Sequence, residues 1–331
     1  MIVHLALNDV LEGALGLGLD IVGAAQRLVR AGLAPSPCSS RALTQRVVSA
    51  DGGPVTSLLG RPVAVDGAFE PELLGPGDVV VVPGVFTPTL GAVDRALARP
   101  DVRRVLAALQ AAHARGATVA ASCSATFFLG AAGLLDGASA TTTWWLIPAF
   151  KRRFPLVDLR ADRMVVESGA TLTAGAAFAH ADLVLAVVSR VASPAVGHLA
   201  AQYLVLDARP AQGRYMVLDH LSTYDPALKR VEELVVANLG RQIGLDELAR
   251  AAGMSPRTLA RRVQGSVGLT PLRFVQRIRV AHAAHLLETT QASVEDVAER
   301  VGYADAAAFR RAFRRHVGAA PRGRRRGEAP E

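Results

Sequence analysis

The sequence predicts an α/β domain built on a largely parallel sheet, followed by an all-α domain with two helix-turn-helix units. Three observations carry this prediction. Short β-type runs alternate with helical stretches through about residue 205, the pattern of a sheet with helices on its faces. Two segments near the C-terminus then repeat each other at a spacing of about fifty residues. One is L-D-E-L-A-R-A-A-G-M-S-P-R-T-L-A-R-R-V, Leu245 to Val263; the other is V-E-D-V-A-E-R-V-G-Y-A-D-A-A-A-F-R-R-A-F-R-R, Val294 to Arg315. Charge divides the chain at the same place. Between Pro226 and Glu331 nineteen Lys and Arg stand against eleven Asp and Glu, while residues 1–225 carry eighteen of each, so the whole formal excess of +8 sits with the repeats. A basic domain beside a neutral one is the electrostatic footprint of a nucleic-acid binder.

Length and composition set the outer bounds. At 331 residues, half of them apolar, the chain can fill two cores. The opening M-I-V-H-L-A-L-N-D lacks the basic and apolar regions of a signal peptide. The most apolar stretch, Leu183 to Leu206, is interrupted by Arg190, Ser193, Pro194 and His198, which argues for buried helices rather than a membrane span. Cys38 and Cys123 give neither a disulfide framework nor metal-ligand spacing. The expectation is a soluble, cytoplasmic protein with no metal and no cofactor. Of 37 basic residues only Lys151 and Lys229 are lysines. Arginine is the better fork for phosphates and guanine edges, and a GC-rich coding bias gives the same excess.

In the first domain, Ile2–Leu7 reads as a strand and Gly18–Ala31 as an Ala/Leu/Gly-rich helix. Val79–Val82 is fully apolar and ends in Pro83-Gly84, as a buried central strand would. Residues 91–115 read as one helix with Asp101, Arg103 and Arg104 on its polar side. Ala117–Ala121 is a strand that runs at once into Ser122-Cys123-Ser124-Ala125. A sharp turn there would set the Cys123 sulfur beside the first N–H groups of the next helix, where a thiolate is stabilised. The other reading is a small buried cysteine packed behind a strand.

The order V-V-V-V-P-G, then A-S-C-S-A-T-F-F-L-G-A-A-G-L-L-D-G, then A-T-T-T-W-W resembles the PfpI-like, class I glutaminase-like domain of GlxA-type transcriptional regulators. In that family the domain precedes an AraC/XylS-type DNA-binding domain, the order found here. The resemblance implies a flavodoxin-like parallel sheet and places Cys123 at the nucleophile position of an elbow. It also brings out a departure. Catalytic members carry a His after the next strand, where this chain reads Ala140-Thr141-Thr142-Thr143-Trp144, with Thr143 at the His position. A threonine hydroxyl accepts no proton near neutral pH, so the base that would activate the thiol is missing. His180 is the remaining histidine candidate within the domain, and Glu12 or Asp20 the candidate acidic neighbour. The domain therefore reads as a ligand-binding relic of an enzyme fold, with Glu12, Cys123, Ser124, Thr143, Trp144 and His180 as pocket candidates. Two alternatives are a Cys-dependent amidase or hydrolase and a redox sensor at Cys123; no resolving cysteine lies near in sequence.

Residues 207–225 are rich in turn-formers and form the expected linker between a sensing domain, 1–206, and a DNA-binding domain, 226–321. Asp225 caps a helix that Pro226 opens, with Leu228, Val231, Leu234, Val235 and Leu239 at helical spacing. In the first unit Leu245, Leu248, Ala249 and Ala252 form the buried stripe and Gly253 the turn. Ser255 caps the second helix, Pro256 opens it, and Leu259 and Val263 point inward. Arg257, Thr258, Arg261 and Arg262 are left outside, for the major groove or its phosphates. The second unit repeats the design, with Val294, Val297, Ala298 and Val301 inside, Gly302 at the turn and Asp305 as cap. Phe309 and Phe313 go inside; Ala306, Ala307, Arg310, Arg311 and Arg314 remain outside. Ser255 itself belongs to the DNA-contact set. Between the units, a helix from Pro271 to about Glu288, with Ile278, Ala281, His285 and Leu286 at helical spacing, makes a rod of about 27 Å. Two reading helices held by such a rod can enter successive major-groove windows on one face, which recur every ~34 Å. The pairs Val267-Gly268 and Val317-Gly318, then Pro271 and Pro321, close the repeats, and this segment resembles the AraC/XylS signature. Ala304 replaces a common Ser, and a basic tail, 322–331, reads as disordered and adds phosphate affinity. The implied partners are double-stranded DNA, a small-molecule effector, RNA polymerase in the case of an activator, and a second copy in a homodimer.

Overall fold

A computed structural model describes residues 1–34, 43–207, 209, 212, 225–267, 269–317 and 320–321. Cys38, most of the 207–225 segment, Gly268, Gly318 and the 322–331 tail lie outside the described residues. The chain forms two compact units, Met1–Gln212 and Gly213–Glu331.

The first unit is a six-stranded sheet. Its strands are β1 (Ile2–Leu5), β2 (Gln45–Val48), β5 (Val79–Val82), β6 (Thr118–Ser122), β9 (Val165–Ser168) and β10 (Thr171–Ala174). Two short ribbons lie outside it: β3 (Val55–Thr56) with β4 (Pro62–Val63), and β7 (Ser139–Ala140) with β8 (Asp158–Leu159). The main sheet runs β2-β1-β5-β6-β10-β9, parallel throughout except for the antiparallel edge strand β9. Val79–Val82 pairs with a parallel neighbour on each side and is buried on both faces, which is why it shows no polar alternation. Along the strands, Val3, Leu5, Val80, Val82, Val119 and Ala121 enter the core on one face. That face is covered by α2 (Leu90–Ala98), α3 (Pro100–Ala114), α4 (Thr126–Ala131) and α5 (Ile147–Arg153). Ile2, Val79, Val81, Ala120 and Leu172 enter the other core, under α1 (Glu12–Arg30), α6 (Ala179–Val191) and α7 (Pro194–Tyr203).

Two expected boundaries move, and one expected interruption falls at Ser193-Pro194. The first helix begins at Glu12 rather than near Gly18. Gly13, Gly16 and Gly18 weaken the local helical signal, but tertiary packing uses Gly18: a Cβ there would come within 2.9 Å of His180 Nε2. The expected helix over 91–115 is two helices, because Pro100 cannot continue the first and instead opens the second. The apolar stretch 183–206 breaks between α6 and α7, where the Ser193 side chain accepts from the Val196 N–H and Pro194 opens the new helix. Among the described residues no helix is long and apolar enough to cross a membrane.

Among the described residues the second unit has six helices: α8 (Pro226–Ala237), α9 (Leu245–Ala252), α10 (Pro256–Val267), α11 (Pro271–Thr289), α12 (Val294–Arg300) and α13 (Ala306–Val317). Gly253, at φ +71°, and Gly302, at φ +80°, make the two tight turns α9–α10 and α12–α13. Val294, Val297, Ala298, Phe309 and Phe313 pack against α11 as one core. Leu245 departs from expectation: it is 44% exposed at the first turn of α9, and the inward stripe starts at Leu248. On α11, Ala281 and His285 face outward. The buried apolar positions are Phe274, Val275, Ile278, Val280, Ala283, Ala284 and Leu287, since this helix packs on partners from both repeats and needs a wider apolar band than one stripe.

Candidate functional site

The strand–turn–helix junction of the first unit is an elbow. Strand β6 ends at Ser122 and Cys123 takes φ +58°, a left-handed conformation that a non-glycine residue adopts only when its surroundings enforce it. Those surroundings are on all sides. The Cys123 N–H donates to Gly175 O (2.7 Å), and the Cys123 carbonyl lies 2.7 Å from Thr126 Oγ1 and 3.1 Å from Thr142 Oγ1. Ser124 Oγ donates to Val85 O (2.5 Å). Gly84 is required by close approach, since a Cβ on it would stand 2.7 Å from the Cys123 Cβ.

Burial at this elbow disfavours a thiolate. Cys123 is 3% exposed, and burial pushes its thiol up to about 11, outweighing the Ser124 N–H and the hydroxyls of Thr143 and Ser124 that favour the anion. Of the two readings of Cys123, this desolvation favours the small buried cysteine packed behind a strand. Thr143 is fully buried; its hydroxyl favours the thiolate but meets no hydrogen-bond geometry, with the sulfur or with any other group. It offers no base. Trp144 is buried and lies edge-on to Trp145, whose indole N–H donates to Thr87 O (3.2 Å).

Two pocket candidates are engaged elsewhere. His180, on α6, shares a 2.9 Å hydrogen bond between Nδ1 and Ser122 Oγ rather than bonding the Cys123 thiol. Burial, with the neighbouring His4 adding to it, drops its imidazole to about 3. His4, which sequence reading missed, is likewise buried and lowered to about 4 by burial, against a raising bond to Gln45. Both rings keep one unpartnered nitrogen, Nδ1 of His4 and Nε2 of His180. Glu12 opens α1, where its carboxylate is bound by Arg61 and Ser57; Arg61 above all holds it below the usual carboxylate range. It therefore reads as an ion-pair partner and not as an acidic neighbour of the thiol. Asp20 is exposed on α1.

In the second unit, α10 and α13 are the second helices of the two helix-turn-helix repeats. Ser255 caps α10, accepting from the Thr258 N–H (3.3 Å) with its hydroxyl 2.9 Å from Thr258 Oγ1. Asp305 caps α13 through the Ala307 and Ala308 N–H groups (2.8 and 3.0 Å). Arg257, Arg261 and Arg314 are exposed and make no ion pair among the described residues. Arg310 is paired with Glu295, and Arg311 lies 3.9 Å from Asp305, exposed contacts that a phosphate can replace. Ala306 is half-buried and Ala307 exposed at the start of α13.

Arg262 departs from the expected set. Its Nε donates to both carboxylate oxygens of Asp225 (2.8 and 3.1 Å), and Asp225 is only 7% exposed because it also caps α8 through the Ala227 and Leu228 N–H groups. Arg262 thus fastens the first reading helix to the helix beneath it. No sequence signal joins two residues this far apart.

A second arginine that sequence reading missed ties the repeats together. Arg279, on α11, is buried; its Nη1 donates to Gly302 O (3.4 Å) and its Nη2 to Arg241 O (2.5 Å). Gln242 Nε2 reaches the same Gly302 carbonyl at 3.4 Å. The turn of the second repeat is therefore bonded to the chain that enters the first.

Comparison with known proteins agrees with this geometry. Residues 19–190, more than half of the chain, match the DJ-1/PfpI family, and residues 248–327 match a helix-turn-helix domain family. The chain is 29% identical over 233 residues to the HTH-type transcriptional regulator GbdR of Pseudomonas aeruginosa, covering 70% of this chain and 63% of that protein. It is 32% identical over 214 residues to the HTH-type transcriptional regulator GlxA of Rhizobium meliloti, covering 64% and 66%. The chain thus spans just under two thirds of the length of both relatives. A THiJ/PfpI family protein from Pseudomonas syringae superposes with a TM-score of 0.51 at 21% identity, over 76% of this chain and 90% of that one, a likeness of fold.

Proposed function

Since the chain belongs to the DJ-1/PfpI family and carries a C-terminal AraC-type helix-turn-helix domain, we propose that it is a sequence-specific DNA-binding transcription regulator whose first unit binds a small-molecule effector without turning it over. The observation that carries the reading is the pair of capped helices, α10 and α13, each presenting exposed arginines on a basic unit. Arg257, Arg261 and Arg314 are free to meet DNA, Arg310 and Arg311 exchange exposed carboxylates for phosphates, and Ser255, Thr258, Ala306 and Ala307 stand where the helices enter the groove. The effector region is the ground around Cys123, Ser124, Thr143 and Trp144. Turnover lacks both a thiolate and a base, because the thiol is desolvated and the buried histidine is bonded to Ser122. The protein acts in the cytoplasm, as a homodimer on its operator, with RNA polymerase as the further partner of an activator.

Titrating the full chain against promoter fragments tests this. Selective binding is expected, with an affinity that falls steeply with salt as phosphate contacts release counterions. Equal affinity for every duplex would overturn the reading.

A further inference from the structure

The last described residue of the first unit places an amide in a recess beside the elbow. Gln212 is 1% exposed. Its Nε2 faces three acceptors, Thr141 Oγ1 (3.1 Å), Thr142 O (3.0 Å) and Ala161 O (3.0 Å), and its backbone N–H donates to Asp162 O (3.0 Å). The Thr141 hydroxyl spends its own proton on Arg163 O, so it turns a lone pair inward. Everything the amide nitrogen meets is an acceptor, and none of it is charged. Such a recess takes an N–H donor and repels a carboxylate; a cation would be buried there with no counter-ion, which is costly. The chemistry selects a neutral amide.

The fit of Gln212 is incomplete. Its Oε1 is buried with no partner, pressed on Gly175, where a Cβ would stand 2.4 Å away. A buried carbonyl left unpaired costs free energy, so this occupant is a replaceable one. The recess also shares its walls with the elbow: Gly175 O receives the Cys123 N–H, and the Thr142 hydroxyl lies on the Cys123 carbonyl. Gln212 follows α7 in the chain, as does Arg209, whose guanidinium donates to Asp182 and Phe178 O. The chain then leads to Asp225, the cap of the DNA-binding unit.

We infer that the recess of Thr141, Thr142 and Ala161 is a carboxamide subsite, held by the chain's own Gln212, and that an effector bearing a primary amide takes the place of Gln212 and so changes operator affinity. The subsite deepens the effector-sensing reading and rests on it for the regulatory half. Competition between an internal and an external amide for one set of acceptors gives the effector a differential affinity for two states, which any ligand-driven switch requires.

The test uses full-length Gln212→Ala with propionamide as probe, and propionate and propylammonium as controls. Trp144 and Trp145 are the only tryptophans, so a fluorescence melt reports the first unit alone. Gln212→Ala should melt about 4 °C below wild type. Propionamide should recover most of that loss, the two controls none of it, and wild type should not respond at these concentrations. Gln212→Glu, equal in size but without N–H, should melt low and gain nothing from propionamide. Operator affinity should differ at least threefold between wild type and Gln212→Ala and move back with propionamide. Unchanged melting of both variants, or equal rescue by all three probes, overturns the subsite. Rescue of the melt with identical operator affinities overturns the link between the subsite and DNA binding. Absence of selective DNA binding in wild type would instead sink the regulator reading, with the melts still deciding the recess.

Discussion

Substituting alanine at each of the two turn glycines should have unequal consequences, and the structure sets the difference. Gly253 and Gly302 occupy equivalent places in the repeats and nearly the same left-handed conformation, φ +71° and +80°. A side chain pays about 1 kcal/mol or somewhat more for that conformation at either site. Their surroundings differ. A Cβ at Gly253 would find its nearest neighbour, Arg230 Nη2, at 3.8 Å, ordinary contact. A Cβ at Gly302 would lie 2.4 Å from Leu239 O and 3.0 Å from Arg279 Cζ. The first is a backbone atom that cannot step aside, and the second belongs to the guanidinium that binds the Gly302 carbonyl. Overpacking of this kind adds roughly 1–3 kcal/mol. Gly253→Ala should therefore cost about 1 kcal/mol and Gly302→Ala about 3 kcal/mol. The difference of about 2 kcal/mol corresponds to roughly 30-fold in an opening equilibrium.

Native-state hydrogen exchange on the full chain reads this directly. Amides of α13, including those of Phe309 and Phe313, should lose roughly 30-fold more protection in Gly302→Ala than α10 amides lose in Gly253→Ala. Because the Gly302 turn is bonded through Arg279 to Arg241, Gly302→Ala should also weaken binding to a full operator more than to either half-site. Equal losses of protection in the two variants would refute the reasoning, since they would mean that only backbone conformation matters and that the two repeats are not locked together here.

Arg261→Ala should weaken DNA binding by ~1–3 kcal/mol and leave stability unchanged. Arg262→Ala should mainly destabilise the second unit, by about 1 kcal/mol after allowing for the 45% exposure of its side chain, because it strands the nearly buried Asp225; urea titration beside a binding isotherm separates the two, and the reverse pattern would count against the assigned roles. Iodoacetamide should label native Cys123 far more slowly than the same thiol in the urea-unfolded chain, because burial raises its pKa and shields it, and hydrolysis of small amides or esters should stay at background in wild type and Cys123→Ser alike. A fast-reacting thiol, or a rate that vanishes with it, would restore the hydrolase reading. His4 and His180 have folded pKa values depressed to about 4 and about 3, so their neutral forms stabilise the fold fully above the unfolded value of 6.5, and that stability drains as pH falls below it. The first unit should lose stability as pH falls from about 6.5 towards 4; in His180→Gln the tryptophan-monitored melt should fall less steeply with acid, and an unchanged slope would contradict the assignment.

What the sequence by itself determined is what depends on local pattern. Gly253 and Gly302 mark turns because only glycine takes positive φ freely, Asp225, Ser255 and Asp305 mark caps because their side chains reach N–H groups two or three residues on, and Val79–Val82 reads as a central strand because a parallel strand buried on both faces has no polar side. The repeat, the location of the charge and the place of the cysteine elbow are legible for the same reason: each is written in neighbouring residues. The tertiary structure alone decided which of two equivalent-looking arginines is free. Arg261 and Arg262 are adjacent in sequence, and only the fold brings Asp225 to the second. It likewise decided that His180 serves Ser122 rather than the thiol, that Glu12 is taken by Arg61, and that Gln212 returns to a recess formed around Thr141. Burial also favours one of the two readings of the elbow. Proximity to helix N–H groups is a local property, but the desolvation that raises the Cys123 pKa is summed over the whole of the surrounding core. Pairwise electrostatics and desolvation depend on distances between residues far apart in the chain, and a one-dimensional pattern does not contain those distances.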